Sequence, residues 1–197
     1  MKFDVVIIGG GLSGLTAGVA LLQEGFKVAA VADGLSLHET PRDEFRRLGG
    51  VLFPGDRAID GEMAGCRISR IRTRNFGDLP LEADAFVLAT GKFFSRGLVS
   101  TRETIFEPVF GLDVNFIPER AKWCDMDFAA PQNFEKFGVK VDGNFNPSVG
   151  GLTLENLFAT GEIVEGCSSV GSGAVSAIKG NALCVASKVK EWLNENR

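Results

Sequence analysis

The sequence holds one histidine, His38, and no tyrosine among its 197 residues. Histidine-based triads and three-histidine metal sites cannot be built from it. Cysteine is scarce too: Cys66, Cys124, Cys167 and Cys184 are widely spaced, with no Cys-x-x-Cys pair. That spacing points to neither a zinc framework nor a disulfide scaffold, and predicts reduced, mostly buried thiols. Positive charge is in deficit, with 21 Lys and Arg against 25 Asp and Glu, a net charge of -4 and a pI near 5.2. A phosphate backbone is neutralised by clustered cations, so nucleic acid is not an expected partner. Long apolar runs are missing as well. The run at the N-terminus stops at Gly9, too short for a signal h-region or a membrane span. A cytoplasmic chain without a membrane span of its own is expected.

What is present is an ordinary globular composition, 45% hydrophobic and 23% charged. The length suits one well-buried core, so residues 1–197 are expected to form a single domain. Phe3 to Ile8 is β-branched and almost continuously apolar, the pattern of a central parallel strand covered on both faces. Leu12, Leu15, Val19 and Leu22 then recur at helical spacing up to Gly25, and Val28 to Ala32 forms a second apolar strand. The unit is βαβ. Pro41 to Leu48 reads as a short helix and Gly50 to Phe53 as a strand before the Pro54-Gly55-Asp56 turn. Strands are expected at Arg67 to Thr73, at Leu79 to Leu81, and at Ala85 to Ala89, the last ending on Thr90-Gly91. Residues 92–150 form an irregular lobe rich in Phe and Pro. Order returns with a strand at Leu157 to Gly161. A helix follows from Val175 to Leu193, with Ile178, Leu183, Val185, Val189 and Trp192 on its apolar side. The fold class is α/β, a Rossmann-type FAD/NAD(P)-binding fold with a central parallel sheet and a small β-meander.

Gly9-Gly10-Gly11-Leu12-Ser13-Gly14 matches G-x-G-x-x-G and sits between a buried strand and an amphipathic helix, the context that gives the motif meaning. Gly9 permits the tight turn, Gly11 lets the backbone approach a pyrophosphate, and Gly14 allows close helix-to-strand packing. Free amides at the helix start, around Leu12 and Ser13, then meet the anion. The acid that usually ends strand two and binds ribose is replaced by Ala32. Asp33 follows it, either as a substitute ribose acceptor or as a turn residue before Gly34.

Two later strings place a flavin on this loop. Leu88-Ala89-Thr90-Gly91 resembles the ATG signature of flavoproteins. Asn156-Leu-Phe-Ala-Thr-Gly161-Glu162 resembles the late signature whose acid binds the ribityl chain. Glu162 reads otherwise as a surface turn carboxylate. The run from Gly166 through Gly171 and Gly173 opens the last helix at Ala174. Its amides either face the pyrimidine edge of the flavin or simply cap the helix. Lys92, Arg96 and Arg102 are candidate substrate-phosphate cations, with exposed or partner-pairing charges as the alternative. Arg67, Arg70, Arg72 and Arg74 read as a solvated strand face. Phe93, Phe94, Phe106 and Phe110 fit core packing better than flavin shielding. No catalytic acid or base stands out.

Taken together, Phe3 to Leu15, Ala89-Thr-Gly-Lys-Phe-Phe-Ser-Arg-Gly-Leu98, Glu107-Pro-Val-Phe-Gly-Leu-Asp113 and Asn156 to Gly161 resemble the family of the B-type subunit of the anaerobic glycerol-3-phosphate dehydrogenase. These flavoproteins are related to the flavin subunits of fumarate reductase and succinate dehydrogenase. The resemblance implies oxidation of glycerol 3-phosphate to dihydroxyacetone phosphate, with electrons passed toward quinone. It implies two partners, an FAD-bearing A-type flavoprotein and a membrane-associated iron-sulfur protein, and so a peripheral position at the inner face of the membrane. It credits the B-type subunit with FMN, whereas the glycine loop argues for FAD. Family members are roughly twice as long, the extra chain falling between strand two and the helix near Arg42. The substrate domain is therefore expected to be largely absent here, through natural shortening, deliberate removal or fragmentation. Two other readings stay open: a stand-alone nicotinamide-dependent reductase, and a non-catalytic assembly module docking through the 92–150 lobe.

Overall fold

The computed structural model describes residues 1–33, 39–127, 129–168 and 173–196. At its centre lies β1 (Lys2–Ile8), whose Val5, Val6 and Ile7 are fully buried. Helix α1 (Leu12–Gln23) returns the chain to β2 (Val28–Ala32), which pairs in parallel with β1. The helix ends where the sequence expects, Gly25 turning the chain at φ 87°. Helix α2 (Glu39–Arg47) and β3 (Val51–Pro54) follow, β3 adding in parallel to β2. An antiparallel meander comes next: β4 (Ala58–Ala64), β5 (Arg67–Thr73) and β6 (Leu81–Leu88).

Strand β6 closes the meander and also runs parallel to β1 along almost its whole length. The strand order is β3-β2-β1-β6-β5-β4. Three short antiparallel pairs occupy the following lobe: β7 (Val99–Ser100) with β8 (Ile105–Phe106), β9 (Val114–Asn115) with β10 (Gly138–Val139), and β11 (Ser148–Val149) with β12 (Leu152–Thr153). Then β13 (Leu157–Ala159) pairs in parallel with the C-terminal half of β6, and α3 (Ala174–Asn196) ends the fold.

Two apolar layers sandwich the sheet. Val5 and Ile7 face the helices, where Leu15, Leu21, Phe45, Val185, Val189 and Leu193 form one core. Val6 and Ile8 face the other way, toward Ile71, Phe110, Trp123, Phe137 and Leu154 of the meander and lobe. Within the lobe Phe116, Trp123 and Phe137 meet edge to face at 6.1–6.4 Å, a geometry favoured by aromatic quadrupoles.

Several sequence expectations are corrected. The strands anticipated at Leu79 to Leu81 and Ala85 to Ala89 are a single strand, β6, and Leu79 lies outside it, exposed. Strand β4 has no clear signal in the sequence, since register shifts between Ala58 and Asp60 and between Glu62 and Met63 interrupt its alternation. Leu183 turns away from the core and is half exposed, its place taken by Ala182 and Ala186. Nor are the thiols mostly buried: Cys124 and Cys184 are exposed, and Cys66 and Cys167 half-buried. His38 and Gly171 lie outside the described residues.

Candidate functional site

In a parallel sheet the ligand crevice opens beyond the carboxyl ends of the strands where strand order reverses. Here that point is the β1–β6 boundary, and a cleft of about 570 Å³ opens there. Ile8, Gly9, Ala32, Ala89, Thr90 and Glu162 line it, bringing together the ends of four parallel strands. Gly11, Leu12, Ser13, Asp33, Gly91 and Arg96 line it as well.

The glycine loop meets its steric requirements residue by residue. Gly9 stands at φ 118°, and a Cβ there would lie 2.2 Å from the carbonyl oxygen of Ala89. A Cβ on Gly14 would lie 2.2 Å from the Gly9 carbonyl oxygen, so α1 rests directly on the loop that precedes it. Gly11 differs: nothing lies within 4 Å of its would-be Cβ, and its dihedrals, φ -79° and ψ -173°, suit any residue. Glycine at position 11 serves no internal packing and leaves room for something outside the chain to approach the helix start.

The two later signatures converge on the same loop. Gly161, at φ 75°, would place a Cβ 2.3 Å from Ser13 Oγ, so the late turn is seated on the first turn of α1. A Cβ on Gly91 would lie 3.8 Å from Glu162 Oε2, which puts the Glu162 carboxylate beside the Thr90-Gly91 turn. Two buried oxygens of cleft residues, Thr90 Oγ1 and Asp56 Oδ2, have no hydrogen-bond partner. These two oxygens lie beneath the cleft surface, and the open space at Gly11 is what the loop leaves for a ligand.

Asn181 on α3 is a site residue that the sequence does not announce. Its Oδ1 accepts the Thr160 hydroxyl at 2.8 Å and the Gly161 amide at 3.0 Å, fixing the turn that carries Glu162. Asn181→Ala leaves both donors without an acceptor, at a cost of about 1–3 kcal/mol. A lower melting temperature together with weaker flavin binding is expected, and an unchanged melt would sink this role.

The other sequence candidates separate. Lys92 donates its ammonium to the carbonyls of Glu135 and, at 2.6 Å, Cys167, tying the lobe to the segment after Glu162. Burial pushes its pKa down, and nearby Glu162 works against that. Arg96 reaches the cleft, whereas Arg102 lines neither cavity and offers its carbonyl to Arg120. Gly173 and Ala174 stand at the start of α3, behind Val175 and Ile178, which line the cleft. Phe110 is buried and Phe93 partly so, while Phe94 is 85% exposed at the cleft mouth. Arg67, Arg70 and Arg72 form exposed ion pairs with Glu155, Glu62 and Asp60, the solvated strand face expected.

The Glu107–Asp113 string builds the loop. The Glu107 carboxylate, 1% exposed, accepts the amides of Val109, Phe110 and Gly111 at 2.7–3.1 Å. Burial pushes its pKa up and these amides pull it back. Asp113 accepts the Ser148 hydroxyl and the amides of Gly150 and Gly151, which hold its pKa down.

Residues 4–41 and 33–183 match the family described as FAD binding domain. The chain belongs to that family. The two matched stretches meet beyond β2, where the sequence places the shortened segment. The flavin of this FAD binding domain is FAD, which decides between FAD and FMN. The B-type subunit of the anaerobic glycerol-3-phosphate dehydrogenase of Yersinia pestis is 41% identical over 145 residues, 74% of this chain and 34% of that protein. The same-named protein of Yersinia enterocolitica is 39% identical over 157 residues, 79% of this chain and 37% of that protein. The chain thus spans about a third of the length of the curated relatives it matches.

Among solved structures, an oxidoreductase from Agrobacterium tumefaciens superposes over all of both chains, with a TM-score of 0.64 at 13% identity. A thioredoxin reductase from Gloeobacter violaceus covers 100% of this chain and 96% of its own, with a TM-score of 0.61 at 12% identity. At such identity the likeness is one of fold. No helix among the described residues is long and apolar enough to cross a membrane.

The cleft fits the cofactor. The glycine-loop amides at the start of α1 would hold the pyrophosphate, and Glu162, beside Gly91, the ribityl hydroxyls.

Proposed function

We propose that this FAD binding domain is the flavin core of a glycerol-3-phosphate dehydrogenase complex, moving electrons from glycerol 3-phosphate toward quinone. One observation carries the reading: relatives 39–41% identical over about three quarters of the chain bear that enzyme's name. Bound FAD supplies the two-electron acceptor. Turning the secondary alcohol of glycerol 3-phosphate into the ketone of dihydroxyacetone phosphate removes a hydride from carbon and a proton from the hydroxyl.

The chain's own contribution is binding and orientation. A second cavity of about 460 Å³, lined by Lys92, Phe93 and Phe134, shares Phe94, Ser95 and Glu162 with the main cleft and offers room for a small phosphate ester. The main cleft's carboxylates, Asp33, Asp56 and Glu162, line the space that this reading gives to FAD. The proton acceptor therefore comes from a partner protein or from the part of the relatives this chain does not span. The partners are an FAD-bearing A-type flavoprotein and a membrane-associated iron-sulfur protein, which hold the assembly on the cytoplasmic face of the membrane.

The one-third span of its relatives favours a second reading, a flavin-holding module that docks partners without turnover. Denaturing the purified protein and identifying the released flavin by mass, then assaying glycerol 3-phosphate-dependent dye reduction in the assembled complex, separates the readings. FAD with reduction supports the dehydrogenase. FAD without reduction leaves the docking module, and a protein holding no flavin removes both.

A further inference from the structure

A dinucleotide held by a glycine loop ordinarily has its adenosine ribose fixed by an acid at the end of the second strand. In this chain that position is Ala32, and it is closed to anything larger in the direction of the loop. A Cβ on Gly10 would lie 2.3 Å from the Ala32 Cβ, so the two residues are already packed together. The carboxylate must come from elsewhere, or the ribose hydroxyls go unmatched.

We propose that Asp56, in the turn after β3, binds the adenosine ribose hydroxyls of FAD and so replaces the missing acid of β2. This rests on the FAD reading of the cleft. The Asp56 amide donates to the Ala32 carbonyl at 3.2 Å, which sets its backbone beside the very position where the acid is lacking. Asp56 lines the main cleft with Ala32, Asp33 and Arg57.

Its carboxylate is held through one oxygen. Oδ1 accepts the amides of Arg57 at 2.8 Å and Asn75 at 2.9 Å. Oδ2 has no partner, although the residue is only 1% exposed. A buried carboxylate oxygen without a donor is costly, and a ligand hydroxyl in the adjoining cleft becomes that donor when the side chain turns toward it on binding. A vicinal diol supplies two such donors. FMN has no adenosine ribose, so this contact discriminates FAD from FMN at the end of the cleft remote from the flavin ring.

The test compares wild type, Asp56→Asn and Asp33→Asn by flavin fluorescence titration with FAD and with FMN. Asparagine at 56 keeps an oxygen for the two amides and turns the second oxygen into a donor. The FAD dissociation constant of Asp56→Asn is expected to rise about tenfold or more, a charged hydrogen bond's worth. Its FMN constant and melting temperature are expected to stay at wild-type values. As an independent arm, ADP should compete with FAD about tenfold better than 2′,3′-dideoxy-ADP on wild type, and no better on Asp56→Asn.

Equal FAD affinity in wild type and Asp56→Asn overturns the inference alone. So does a loss carried by Asp33→Asn instead, or FAD and FMN affinities that fall together with the melting temperature. A wild-type protein that binds neither flavin overturns the FAD reading and this inference with it.

Discussion

Gly11→Asp is expected to weaken FAD binding at least a hundredfold while leaving the melting temperature unchanged or raised. The two effects part because of what surrounds this glycine. The backbone at position 11 has dihedrals open to any residue, and its would-be Cβ has no neighbour within 4 Å, so the fold asks nothing of the missing side chain. Position 11 is moreover the N-cap of α1, where aspartate satisfies first-turn amides and interacts well with the helix dipole. The apo protein should not suffer.

A bound pyrophosphate meets a fixed negative charge at about 5 Å, worth roughly 3 kcal/mol per phosphate charge at an effective dielectric near 20. That energy alone exceeds a hundredfold in affinity. Gly14→Val should do the reverse, since its Cβ would lie 2.2 Å from the backbone oxygen of Gly9 and the protein would fail to fold rather than fail to bind. Fluorescence titration beside a thermal melt reads both. A Gly11→Asp protein that holds FAD as tightly as wild type removes the loop from the pyrophosphate.

The residues that can be read from sequence are those whose role is local. Val5, Val6 and Ile7 announce a central strand because both faces are covered, and Gly9 to Gly14 announce a ligand loop because every constraint lies within one turn. Strand β6 reads as two pieces because Glu82 and Asp84 break its apolar run. Those two acids occupy the half of the strand that borders the meander, where the sheet meets solvent. Asp56 and Asn181 are illegible for a different reason. Each looks like a turn or helix-surface residue, and its meaning comes only from what the fold brings to it: the Ala32 carbonyl in one case, the Thr160-Gly161 turn in the other. Lys92 shows the converse, a cation at a suggestive place whose ammonium is committed to two backbone carbonyls.

Asn156 is where a single polar side chain decides whether the sheet and the site stay joined, and its replacement should be strongly destabilising. Strand β6 has β1 on one side throughout, but on the other side its neighbour changes from β5 to β13. At that change the backbone ladder is interrupted, and Asn156, 3% exposed, fills the gap. Its Oδ1 accepts the Ile68 amide at 2.7 Å, and its Nδ2 donates to the carbonyls of Ile68 at 2.8 Å and Asp84 at 3.0 Å.

Asn156→Ala removes three hydrogen bonds to backbone groups at this junction, two of them buried, at about 3–5 kcal/mol in total. For a chain of this size that lowers the melting temperature by about 10 °C. FAD affinity should fall with it, because β13 leads directly into Gly161 and Glu162. Asn156→Asp sharpens the argument. Its carboxylate can still accept the Ile68 amide but faces two carbonyl oxygens with no hydrogen to give them, so the folded state favours the protonated acid. The folded pKa is then raised above the unfolded value near 4, and the stability this acid contributes is present below that value and lost as pH rises through the folded pKa. The melting temperature of Asn156→Asp should therefore drop further below wild type on going from pH 4 to pH 7, whereas Asn156→Ala should show a constant gap. Melting curves that stay parallel for the aspartate variant would mean that Nδ2 holds nothing across the junction.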